Sequence, residues 1–175
     1  MMPLPRSSAE EVTYEGYGPG GSAILIACVT PDPAQTTAAV REVLCRHGGN
    51  LGARDSVAYL FIAVGVLEFP PGTDSSVLDS VAGAAGAEEV VVRRDDVLEV
   101  LTDPRECHAV RDALVAAGFV PSRVDVTRRA TVPLALSVDD RTRLHGLLEA
   151  LAALPGVRRV YANVDAAAGA ARAVA

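Results

Sequence analysis

The run AILIACV, Ala23 to Val29, constrains this chain more than any other stretch, because of what brackets it. An uninterrupted apolar segment of strand length, closed on both sides by helix breakers, reads as a strand with both faces buried. Ahead of it stands EGYGPGG, Glu15 to Gly21, with four glycines and a proline in seven residues. Behind it stand Pro31 and Pro33. A second glycine-rich stretch, HGGNLGARDSV, runs from His47 to Val57. Each stretch admits two readings. Successive glycine amides can cradle an anion or an RNA backbone. Equally, glycine is needed wherever a turn takes positive φ or two backbones come close.

Elements follow from local signals. A helix is expected over Pro33 to His47, with Thr36, Val40, Val43, Leu44 and His47 at helical spacing and Gly48-Gly49 as its stop. Val57 to Ala63 and Val64 to Phe69 read as two strands of a hairpin around Gly65. A small helix is expected over Asp74 to Ala85, and strands over Glu89 to Arg93 and Val97 to Leu101. Asp103, Pro104 and Glu106 form a capping-box pattern for the next helix, which Gly118 ends. Strands at Val124 to Thr127 and Thr131 to Leu136 precede a helix capped by Ser137 and striped by Leu144, Leu147, Leu148 and Leu151. Val157 to Tyr161 is the final strand, and Tyr14 to Tyr17 a short first one. The alternation points to an α+β fold of two small sandwiches, each with helices on one face of a mostly antiparallel sheet.

Composition narrows the chemistry. The 175 residues carry a net charge of −6 and no lysine, which disfavours wholesale binding to phosphate backbones while leaving local arginine patches open. No apolar run reaches bilayer length, so no membrane contact is expected. Cys28, Cys45 and Cys107 lie in apolar-patterned segments and read as reduced core residues of a cytosolic protein. His47, His108 and His145 show no zinc-site spacing, and neither a metal nor a cofactor is expected. Three arginine dyads stand out: Arg93-Arg94, Arg128-Arg129 and Arg158-Arg159. They read either as one basic patch for RNA phosphates or as solvated charge offset by neighbouring aspartates.

The stretches EEVTYEGYGPGGSAILIACVT, REVLCRHGGNLGARDSVAYLF, LEVLTDP, VRDALVAAGF and VRRVYANVD resemble the YebC family, the translational activator of cytochrome oxidase family, from about Glu10 to Asp165. The resemblance implies a cytoplasmic protein whose two ferredoxin-like α/β domains are nested, the second inserted in the first. On that pattern residues 10–70 plus 131–165 form the first, residues 71–130 the inserted one, and 1–9 and 166–175 are flexible termini. The family's basic N-terminal helical domain is expected to be missing, which makes this a shortened member. Asp55 stands where the family pattern has glycine, and Ala34 and Gln35 replace an asparagine and an arginine.

Two functions are expected from this reading. The first is a non-enzymatic factor in translation or gene regulation, contacting the ribosome, tRNA or DNA. The second is an enzyme recruited to a specialised biosynthetic pathway, acting on a small molecule or an aminoacyl-tRNA in an interdomain cleft. Contacts are expected from Glu15, Gly16, Tyr17, Gly18, Gly20, Gly21, Gly49, Asn50, Gly52, Arg54, Ser56, Tyr161 and Asn163, with the two glycine loops side by side. A homodimer is a third expectation.

Overall fold

The computed structural model describes residues 8–164; the tail expected at 166–175 and most of the leader lie outside it. The chain divides into two compact units. One holds everything up to Phe61 and resumes at Ala130; the other is Ile62–Arg129. The first boundary thus falls inside a strand, after Phe61, rather than at the Pro70-Pro71-Gly72 punctuation.

The first unit is a four-stranded sheet with two helices on one face. Strand β1 (Glu10–Tyr17) pairs antiparallel with β2 (Ala23–Thr30) along its whole length, from Glu10 opposite Thr30 to Tyr17 opposite Ala23. Helix α1 (Pro33–Arg46) starts where Asp32 accepts the N–H of Gln35 at 3.0 Å and Pro33 supplies a preset φ. It leads to the two-residue strand β3 (Asn50–Leu51), which pairs with β1. Strand β4 (Phe61–Phe69) carries the chain into the second unit.

That unit runs β4, α2 (Ser75–Ala84), β5 (Glu89–Val92), β6 (Leu98–Thr102), α3 (Cys107–Ala116) and β7 (Arg123–Ala130), in the sheet order β5-β6-β4-β7. This is the ferredoxin-like βαββαβ arrangement. The chain closes with α4 (Val138–Ala152) and β8 (Val157–Ala162), giving the first sheet the order β3-β1-β2-β8. The first unit has the same two-layer build but enters its sheet through the β1–β2 hairpin, so its connectivity differs.

Strand alternation explains the cores. Ile24, Ile26 and Cys28 of β2 face Val40 and Leu44 of α1 and Leu144, Leu147 and Leu151 of α4, all buried. In the second unit Leu67, Phe69, Leu98 and Val100 meet Leu78, Val110 and Leu114. The opposite face of the first sheet carries Ala23, Leu25 and Tyr161, packed by Val57 and Phe61. Burying such side chains contributes roughly 1.5–3 kcal/mol each.

Several expectations are corrected. There is no hairpin at Gly65. Val57 is followed by a 3-10 turn, Ala58–Leu60, and β4 then continues through Gly65 unbroken. Gly65 serves a close approach instead, since a Cβ there would sit 2.3 Å from the Thr102 hydroxyl and 2.7 Å from Cys107 Cβ. The Thr131–Leu136 strand shrinks to a single bridge between Leu134 and Val164, next to Pro133, which lacks an N–H. The capping box does not form. Asp103 accepts the N–H of Arg105 at 2.8 Å in a turn of its own, and α3 begins only at Cys107, with no side-chain bond from Glu106. Cys28 and Cys107 are buried as expected, but Cys45 is exposed.

Candidate functional site

The two glycine stretches do lie side by side, joined by the β1–β3 pairing of Tyr17 with Asn50 and Gly16 with Leu51. Gly16 and Gly49 serve that joint. A Cβ on Gly49 would stand 2.2 Å from the Tyr17 carbonyl oxygen, closer than any real Cβ contact. Gly20 takes φ +66, and a Cβ there would meet Leu136 at 2.6 Å. The amides are occupied. Gly18 donates to Ser22 O, Gly21 to Gly18 O, Gly49 to Leu44 O and Gly52 to Glu15 O, at 2.8 to 3.2 Å. The anion-cradle reading therefore fails for these four; close approach accounts for Gly18, Gly49 and Gly52, and positive φ for Gly21.

What the joint positions is a loop. Glu15 points to the helix-free face of β1 and is 6% exposed. Its Oε1 accepts the N–H of Asp55 at 2.7 Å, and its Oε2 accepts those of Val57 at 2.7 Å and Ala58 at 2.8 Å. Burial alone would raise this carboxyl's pKa. The bonds from Val57, Asp55 and Ala58, with a lesser one from Ser56, outweigh burial and hold it below its ordinary value. The residue chosen as a contact is thus a structural anion.

Around it, the Tyr17 hydroxyl donates to Ser56 O at 3.3 Å. The Leu60 N–H bonds Val57 O at 3.0 Å, and the Thr131 N–H bonds Leu60 O at 2.9 Å. Asp55 is held at φ +63, a region that L side chains seldom enter and that glycine fills without cost. The clamp extends from Glu15 over 40 to 43 residues of sequence, so the segment Ala53–Leu60 has its shape set from beneath.

Of the residues expected to make contacts, Gly20, Gly21, Asn50 and Arg54 are exposed, the last on this loop. Others are committed elsewhere. Tyr161 lies in the apolar cluster behind the loop. Asn163 accepts the Ala23 N–H through its side-chain oxygen at 2.7 Å. Ser56 Oγ is buried, with no hydrogen-bond partner among the described residues. Sequence reasoning missed Tyr59, which is 72% exposed. The signal was available: in SVAYLF the tyrosine sits among apolar neighbours, but reading a strand there gave no way to tell which side it faced.

Two of the arginine dyads converge on one carboxylate. Arg93-Arg94 and Arg128-Arg129 belong to the second unit, and Arg158-Arg159 to β8 of the first. Arg93 and Arg129 both turn onto Glu99, while Arg94, Arg128 and Arg158 are exposed. Among the described residues no cluster of three histidine, cysteine or acidic side chains is placed to hold a metal ion, and no helix is long and apolar enough to cross a membrane.

Known proteins share this architecture. Residues 9–164 match the family model described as TACO1/YebC second and third domain. A probable transcriptional regulatory protein of Halorhodospira halophila is 46% identical over 156 residues, covering 89% of this chain and 63% of the relative. One from Xanthomonas euvesicatoria is 44% identical over 160 residues, covering 91% of this chain and 66% of its own length. A crystal structure of a conserved hypothetical protein from Aquifex aeolicus superposes with a TM-score of 0.79 at 34% identity, over 93% of this chain and 67% of that one. The chain therefore spans just under two thirds of the length of these curated relatives. With the family model matched over almost all the described residues, and the glycine joint, two sheets and four helices in place, this chain belongs to the TACO1/YebC family.

Proposed function

We propose that this chain is a non-enzymatic regulator of gene expression that works by contact with a nucleic-acid-containing partner, through the loop Ala53–Leu60. Similarity to proteins named probable transcriptional regulatory proteins gives the class. The observation that carries the loop's part is the Glu15 clamp, which spends a buried carboxylate and three backbone N–H groups on fixing a surface segment that carries the exposed Arg54. Pre-setting a loop removes the ordering cost from the binding step. The same clamp argues against an acid–base role for Glu15, because both its oxygens already accept hydrogen bonds.

Ribosomal RNA, tRNA and DNA all present the phosphates that an arginine recognises. The test is retention of the purified chain on each, measured by fluorescence anisotropy from about 50 to 200 mM salt. The expected result is binding to at least one, weakening as salt rises. Absence of binding to all three at the lowest salt sinks the reading.

A further inference from the structure

We propose that Tyr59 and Arg54 form a stacking site for an unpaired nucleotide, the tyrosine taking the base and the arginine its phosphate. This rests on the reading above and names the form of nucleic acid: single-stranded or looped out, not duplex.

The first observation is the exposure of Tyr59. The chain has four tyrosines, three phenylalanines and no tryptophan. Tyr14, Phe61, Phe69 and Tyr161 are buried, and Tyr17 and Phe119 are partly buried. Tyr59 alone among them stands in solvent, at 72%. A ring left in water forgoes the largest burial gain that a side chain offers. The second observation is that its backbone is rigid. The ring rises from the 3-10 turn Ala58–Leu60, whose first N–H is held by Glu15 and whose last carbonyl is held by Thr131. A fixed aromatic face loses little entropy when a base stacks on it.

The third observation concerns the exposed residues on the same loop and on the segment bonded to it. Val132, next to Thr131 on the segment bonded to Leu60, is itself 69% exposed. Arg54 is exposed on the same clamped segment, five residues before Tyr59 in the sequence. Asp55 beside it offsets its charge, so the loop has little bulk positive field. Duplex binding depends on such a field. Base stacking does not, because every base has a π-face.

The experiment uses the 175-residue chain and a fluorescein-labelled single strand of about twelve nucleotides, as RNA and as DNA, each beside its duplex. Tyr59→Ala should weaken single-strand binding about ten- to hundredfold, and Tyr59→Phe should restore it. Arg54→Ala should lower the slope of log affinity against log salt by about one. Arg105→Ala, an exposed arginine of the other unit, should change nothing. Circular dichroism confirms that each variant is folded, as the exposure of Tyr59 leads one to expect.

Single-strand binding unchanged in Tyr59→Ala overturns the stacking site and leaves the regulatory reading intact. Duplex bound as tightly as single strand does the same. If the chain binds no nucleic acid, and Tyr59→Ala instead abolishes crosslinking to a protein partner, both readings fall.

Discussion

Glu15 in the first unit and Glu99 in the second are buried to the same degree, each 6% exposed, yet they are satisfied by opposite means. Glu15 takes backbone N–H groups from Asp55, Val57 and Ala58. Glu99 takes guanidinium groups from Arg93, at 3.4 Å, and Arg129, at a short contact. The two solutions have different consequences. Backbone donors cannot turn away, so the Glu15 carboxylate dictates the path of the chain that carries them. Arginine side chains can turn. Arg93 also lies 2.8 Å from Asp95 and 3.6 Å from Glu68, and it and Arg129 are about one-third exposed. Glu99 thus joins strands within a sheet whose path is already set by its ladder, from Glu68 opposite Glu99 to Val91 opposite Glu99. One carboxylate shapes a loop; the other ties together strands that exist without it.

The strongest way to break this contrast is to push the glycine joint apart. Gly49→Ala sets a Cβ against the Tyr17 carbonyl, which is backbone and cannot rotate out of the way. The expected loss is about 3 kcal/mol or more, read by urea denaturation, together with loss of the amide protection of Val57 and Ala58 in hydrogen exchange. Retained stability would show that the joint yields and that Glu15 does not depend on it.

Next comes Glu15→Gln. It leaves three N–H donors facing a group with one acceptor oxygen and an NH2, so roughly 2–4 kcal/mol should be lost. The pH dependence sharpens this. The folded pKa of Glu15 lies below the ordinary 4.5. Its contribution is therefore fully present above that value and is lost as pH falls through the lower folded one. Wild type should show this acid-side loss, and Glu15→Gln should lack that part of it. Equal acid profiles for the two proteins would contradict the assignment.

The smallest effect is expected at the other carboxylate. Glu99→Gln keeps an acceptor for one arginine, and the other can turn to Asp95, Glu68 or water. A loss of about 1 kcal/mol is expected, because both guanidinium groups are about one-third exposed and keep water as a partner. A loss as large as that of Glu15→Gln would erase the distinction between the two sites.

Local chemistry made most of the elements legible. The breakers around Ala23–Val29, the Asp32-Pro33 start of α1, the Ser137 cap of α4 and its leucine stripe each act within a turn or two of chain, and each appears in the fold. The misread segments are those whose conformation answers to something distant. Val57–Leu60 has the composition of a strand, but its N–H groups are gathered by a carboxylate more than 40 residues earlier, and an extended strand cannot bring them to one point. Gly65 resembles a turn because a lone glycine between apolar runs usually is one; here it makes room for Thr102 and Cys107.

The candidate site divides along the same line. Adjacent glycine loops could be read from the sequence because close backbone approach demands glycine whatever lies around it. The roles of Glu15, Tyr161 and Asn163 could not, since a carboxylate, a phenol or an amide has the same formula whether it faces a partner or the protein's own backbone. By itself the sequence determined where strands and helices start and stop, through interactions spanning a few residues. Only the tertiary structure decided which polar groups are consumed inside and which, like Arg54 and Tyr59, stand in solvent, because that depends on groups brought together from far along the chain.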